Sequence, residues 1–151
     1  MSDSHQKLSS IALLGVLSVA QLLAMSSFAN FAVLLNEFTV EWSLSSTQAG
    51  WIGGIYFAGY VAAVPFLEGL TDVLDARRSY LFGLFCGILG SVGFALFADG
   101  FFSAMIFRFV AGVSLAGTYM PGLQILNDRL NEVDRQKVLP WYLSAFSIGT
   151  A

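Results

Sequence analysis

The sequence predicts an all-α polytopic membrane protein, and three observations carry that expectation. Apolar residues make up 56% of the chain and charged residues 11%, with a mean hydropathy of +0.72, whereas a soluble domain carries roughly 25% charged residues. Four runs are free or nearly free of charge over the roughly 20 residues that a helix needs to cross a bilayer. The lysines and arginines outside those runs fall in alternate connections, the pattern of a chain threaded back and forth with its basic loops on one side.

The first span is expected at residues 11–35, after a polar tail of residues 1–10 that holds Lys7 and the only histidine, His5. Its apolar run is about twice the length of a signal-peptide core. It also continues past the small-residue pairs Ala24/Ser26 and Ser27/Ala29, so a retained helix is expected. The second span, residues 46–67, lies between Glu41 and Glu68, and the third, residues 79–98, between Arg78 and Asp99. The fourth, residues 101–126, is interrupted only by Arg108. A fifth run, residues 138–151, stops at Ala151 without a polar flank, short of a bilayer crossing. A fragment cut inside its fifth helix is therefore expected. The alternative is a four-helix protein with an interfacial tail.

Orientation follows from the basic residues. Lys7, the pair Arg77 and Arg78, and the group Arg129, Arg135 and Lys137 share one side, which places the N-terminus in the cytoplasm. The two opposite connections, around residues 37–45 and 98–101, carry Glu37, Glu41 and Asp99 and no basic residue. A multi-pass protein of the plasma (inner) membrane of a bacterium is expected, with the lipid bilayer as its first partner. All connections are short, so no soluble domain is inserted.

Arg108 is the only charged residue across residues 100–127. A charge at membrane depth costs on the order of 3 kcal/mol or more and marks a working site by default. Gly112, Ala116, Gly117 and Pro121 follow it at helical spacing, a small-residue face that lets helices approach closely. The second and third spans carry further stripes, Gly50, Gly53, Gly54 and Gly59, then Gly83, Gly87, Gly90 and Gly93. Ordinary bundle packing accounts for most of these glycines. Pro65 and Pro121 lie in the inner halves of their helices, where proline frees a carbonyl and permits a kink.

The first span is more polar than a passive anchor, with Ser18, Gln21, Ser26, Ser27 and Asn30. The first and fourth spans run antiparallel, so Ser26 and Asn30 come to the depth of Arg108 and are candidate partners of its guanidinium. The competing expectation is a water-filled cavity at Arg108 lined by Tyr56, Tyr60, Tyr119 and Gln124. Trp42, Trp51 and Trp141 read as interfacial belt residues. Cys86 is alone and reads as a packing residue. No metal-ligand cluster, nucleophile constellation, phosphate loop or nucleic-acid patch is visible in the sequence. Neither an enzyme, nor a cofactor or metal, nor a nucleic-acid partner is therefore expected.

The connection between the second and third spans runs Glu68, Gly69, Leu70, Thr71, Asp72, Val73, Leu74, Asp75, Ala76, Arg77, Arg78. It resembles the signature loop of the major facilitator superfamily of secondary transporters in Leu70, Asp72 and the pair Arg77 and Arg78. It departs from it at Glu68, where a glycine is usual, at Val73, where a basic residue is usual, and at Asp75 and Ala76, which replace a second glycine with one extra residue. The fourth span is similar to the family's second signature, an arginine, a glycine four residues on, further small residues and a proline, in Arg108, Gly112, Ala116, Gly117 and Pro121.

The resemblance implies the N-terminal part of a twelve-helix bundle in which two halves rock about a site near the membrane midplane. By resemblance, Asp72, Arg77 and Arg78 form a gate latch that holds one conformation. Arg108 then serves structural coupling or proton transfer. The implied function is transport of a small solute, with the C-terminal half of the transporter as the missing partner, and this chain alone is not expected to transport. A non-transporting membrane sensor or scaffold on the same fold is the alternative. The only charge within the spans is positive, which leans toward an anionic or neutral solute.

Overall fold

The computed structural model describes residues 2–71, 75–130 and 132–149, and places them in six helices. These are α1 (Ser2–Val33), α2 (Leu35–Glu41), α3 (Ser46–Thr71), α4 (Ala76–Phe97), α5 (Phe101–Arg129) and α6 (Glu132–Gly149). No strand occurs among the described residues. Four helices are long and apolar enough to cross a membrane, over Leu14–Val33, Ser46–Leu67, Ala76–Phe97 and Phe101–Arg129. With their composition they make this an integral membrane protein built as a partial helical bundle.

The ends of the elements differ from the sequence expectation in ways that local chemistry explains. The polar tail is helical from Ser2. At the other end α1 stops at Val33, and the expected outer loop is mostly helix α2. The residues Phe31, Phe38 and Trp42 recur at helical spacing. Phe38 stacks on Phe31 at 6.0 Å and on Trp42 at 4.6 Å, and all three rings meet Phe94 edge-on at 5.5–6.1 Å. That stack seats α2 against the end of α4. It also corrects the belt assignment of Trp42, which is a half-buried core residue, whereas Trp51 and Trp141 are exposed.

The turn after α2 is a Schellman closure. Ser43 has a positive φ of 51°, its N–H donates to the Val40 carbonyl at 3.3 Å, and the Leu44 N–H donates to the Thr39 carbonyl at 3.0 Å. A capping box then opens α3. The Gln48 N–H donates to Ser45 Oγ at 3.2 Å, and the Ser45 N–H donates to Gln48 Oε1 at 2.9 Å. Helix α4 begins at Ala76 rather than residue 79, because the Asp75 carboxylate accepts the Arg77 N–H at 3.0 Å and caps it. Helix α6 begins at Glu132, well before residue 138, so the basic segment expected as a loop is largely helical.

Helix α5 is the centre of the bundle, packing most extensively on α4 and then on α3, while α1 packs chiefly on α6. The small-residue stripes set these contacts. Along the α4–α5 seam Gly83 meets Gly117, Gly90 meets Ala111 and Gly93 meets Phe107, one series rising as the other falls, which is the register of an antiparallel pair. A Cβ on Gly117 would lie 2.6 Å from Gly83 Cα. Along the α3–α5 seam Gly112 lies against the Tyr56 carbonyl and Gly59 against the Phe109 carbonyl.

The core forms successive clusters along the bundle. Leu17, Tyr80, Leu126 and Tyr142 lie toward the basic end, Met25, Tyr56, Ala111 and Leu115 in the middle, and Phe31, Leu44, Ile52 and Ala104 toward the acidic end.

Candidate functional site

Arg108 is 3% exposed, on the inner face of α5. Its residues Ala104, Ala111 and Gly112 are small and buried, so α1 and α3 come close enough to enclose the long side chain. Three rings surround the guanidinium. Its Cζ lies 4.6 Å from the Phe31 ring centre, 4.9 Å from Tyr56 and 5.7 Å from Phe28. Each contact contributes on the order of 1 kcal/mol, more when desolvated, because the negative face of an aromatic ring attracts a cation. The cage thus offsets part of the cost of holding a charge at this depth. Tyr56 is held in turn by an edge contact with Phe57 at 5.7 Å and a tilted contact with Phe28 at 5.2 Å.

Two cavities reach Arg108. One, of about 670 Å³, lies between α1, α4 and α5 and is lined by Ser26, Asn30, Phe38, Trp42, Ser91 and Phe94, among others. The other, of about 530 Å³, lies between α1–α2 and α3 and is lined by Phe28, Asn36, Thr39, Gly50, Gly53 and Phe57, among others. Phe31 and Arg108 line both.

The candidate partners divide. Ser26 and Asn30 stand on the wall of the larger cavity beside Arg108, and the Ser26 hydroxyl donates back to the Leu23 carbonyl at 2.9 Å. Tyr56 contacts the guanidinium directly. Tyr60 and Tyr119 pack instead on the cluster of Met25, Tyr56, Ala111 and Leu115. Gln124 lies one end further down, in a cleft of about 340 Å³ with Asp75, Arg77, Asp128 and Arg129. Gly112, Gly117 and Pro121 are buried on the packing face of α5.

In the connection after α3, Arg77 and Arg78 are exposed in the first turn of α4, while Asp72 lies outside the described residues. Arg77 lines the same cleft as Asp128, a proximity that sequence spacing does not reveal. A second buried polar centre also went unread. The Tyr142 hydroxyl of α6 lies 3.1 Å from Gln21 Oε1 on α1 and 3.2 Å from the Thr118 carbonyl on α5. Gln21, as an amide within an apolar run, was its one visible signal. Among the described residues no group of histidine, cysteine or acidic side chains is placed to hold a metal.

A buried arginine on a small-faced helix, a capped basic turn at the start of α4 and four crossing helices are the frame in which the comparisons fall. The family model of the Major Facilitator Superfamily matches residues 17–151. The chain belongs to the Major Facilitator Superfamily.

A relative in Bacillus subtilis (strain 168) bearing the name "Putative niacin/nicotinamide transporter NiaP" is 28% identical over 96% of this chain and 36% of its own length. YwoD of the same strain, named an uncharacterized MFS-type transporter, is 25% identical over 67% of this chain and 22% of its own. YcaD of Salmonella arizonae, also named an uncharacterized MFS-type transporter, is 27% identical over 78% of this chain and 31% of its own. The chain thus spans about a third or less of the length of these relatives. No solved structure matches it.

Proposed function

We propose that this chain is the N-terminal portion of an alternating-access secondary transporter that carries a small anionic or neutral solute. The observation that carries the reading is Arg108, a permanent cation buried in a ring cage and lining two cavities. A fixed charge in a low-dielectric site attracts a complementary group far more strongly than it would in water.

The names of the relatives agree, since one is named for niacin and nicotinamide and the others as MFS-type transporters. Niacin carries a carboxylate at neutral pH and nicotinamide is neutral, both within the solute class that Arg108 favours. The protein sits in the plasma (inner) membrane with its N-terminus and the basic end of the bundle in the cytoplasm, on the strength of the basic loops.

At that cytoplasmic end Asp72, Arg77 and Arg78 form a gate latch. The cleft shared by Arg77 and Asp128 supports a contact between the start of α4 and the end of α5 that forms in one conformation and breaks in the other. The relatives extend well beyond the stretch this chain matches, and that further length would supply the other wall of the pathway. The test is uptake into proteoliposomes by the protein expressed from its own gene. Saturable uptake of a small anionic or neutral solute supports the reading. Saturable uptake of an organic cation, unaffected by anions, or no uptake across such a panel, overturns it.

A further inference from the structure

The glycines of α3 fall into two kinds. Gly59 lies against the Phe109 carbonyl, so its missing Cβ is explained by the helix seam. Gly50 and Gly53 have nothing within 4 Å of where a Cβ would stand. No packing contact requires them, and each costs the helix roughly 0.5–1 kcal/mol relative to alanine. Both line the cavity of about 530 Å³ that Arg108 also lines. That volume is in the range of small-ligand sites, which run roughly 300–1,000 Å³ and combine apolar and aromatic walls with a few polar groups.

The rest of the wall has that composition. Phe28, Phe31 and Phe57 present rings, with Phe28 meeting Phe57 at 5.3 Å, and Asn36, Thr39 and Ser46 add polar groups at one end. Arg108 is the only charged residue lining it among the described residues. The same guanidinium is held in place by Phe31 and Tyr56.

We propose that the cavity between α1–α2 and α3 is the solute site, that Gly50 and Gly53 keep it open, and that it takes a small aromatic monocarboxylate. The carboxylate faces Arg108, where a planar guanidinium matches two oxygens, and the ring lies among Phe28, Phe31 and Phe57. This placement rests on the transporter reading above and adds to it the location of the site and the class of its solute. A neutral aromatic amide of the same shape fits the ring slot but lacks the charge complement.

The probes are benzoate and benzamide, which have nearly the same shape and differ in charge. Their binding to the protein expressed from its own gene, purified in detergent, is measured by isothermal titration calorimetry, a readout independent of transport. Benzoate is expected to bind at least ten-fold more tightly than benzamide. Gly53→Leu, which fills the cavity, should weaken benzoate at least ten-fold. Gly54→Leu, one position on at an exposed glycine that also meets nothing within 4 Å and lies outside this cavity, should bind benzoate within two-fold of the unmodified protein and shows that the helix accepts a leucine.

Equal affinity for the two probes, binding of neither, or an unchanged Gly53→Leu variant overturns the site. Transport of other solutes without benzoate binding would sink this inference and leave the transporter reading standing. Benzoate binding without any transport would do the reverse.

Discussion

Gly117→Ala is the most direct probe of how this bundle holds together. The added Cβ would stand 2.6 Å from Gly83 Cα, 3.0 Å from Gly83 N and 3.2 Å from the Ser79 carbonyl oxygen, where ordinary contact begins at 3.4 Å. Every one of those atoms is backbone, so no side chain can swing aside, and α4 and α5 must separate by most of an ångström. A radial gap of that size forfeits a quarter to a half of the dispersion energy of each affected contact, and overpacking typically costs about 1–3 kcal/mol. The neighbouring contacts, Gly83 on Gly117 and Gly90 on Ala111, lie on the same seam and loosen together. The expected loss is therefore at the upper end, about 2–3 kcal/mol, against a helix-propensity gain of under about 1 kcal/mol.

The assay is reversible unfolding in mixed micelles, followed by far-UV circular dichroism, with Gly54→Ala as reference. Gly54 meets nothing within 4 Å, so its alanine variant should be unchanged or up to about 1 kcal/mol more stable. If Gly117→Ala were as stable as Gly54→Ala, the tight α4–α5 seam would be wrong.

Further substitutions test the termini and the buried polar centre in the same assay. Tyr142→Phe removes the hydrogen bond to Gln21 Oε1 and leaves a fully buried amide oxygen without that donor, so a loss of about 1–3 kcal/mol is expected. An unaltered stability would show that the α1–α6 contact does not depend on it. Asp75→Ala removes the cap on α4 and should cost about 1 kcal/mol, whereas Asp75→Asn, which keeps an acceptor, should lie within about 0.5 kcal/mol of the unmodified protein. Ser43→Gly relieves the left-handed residue that closes α2 and should stabilise by up to about 1 kcal/mol; a destabilised variant would contradict the closure described. Arg77→Ala should slow transport, and Asp128→Ala should slow it similarly. If the double variant is no slower than either single one, the two act as a unit; additive losses would separate them.

The four membrane spans were legible because composition and length alone nearly fix a helix in lipid, where every backbone group must be satisfied within the segment. The close packing of α5 was legible too, through Arg108 and the small residues after it. Other features depend on encounters between distant parts of the chain. The ring cage needs Phe28 and Phe31 of α1 and Tyr56 of α3 to arrive at one point, and no spacing in the sequence announces that. Ser26 and Asn30, expected as partners of Arg108, line the larger cavity with it, and Tyr56, expected on a cavity wall, meets the guanidinium, but Phe28 and Phe31 carried no polar signal that would single them out. Helix α2 was read as a loop because its polar residues Asn36, Glu37 and Glu41 mask the spacing of Phe31, Phe38 and Trp42. Local signals that do not depend on distant contacts, the Ser45–Gln48 capping box and the Asp75 cap, were present in the sequence and went unused.

Arg108 is the residue on which the functional account turns. Its side chain is replaceable without harm to insertion, because losing a charge makes entry into the bilayer easier. The decisive measurement is solute uptake into proteoliposomes by the protein expressed from its own gene, for Arg108→Ala beside the unmodified protein at matched membrane content. The account predicts normal insertion and no saturable uptake for Arg108→Ala. Normal uptake by Arg108→Ala would contradict it and reduce the buried cation to a packing element.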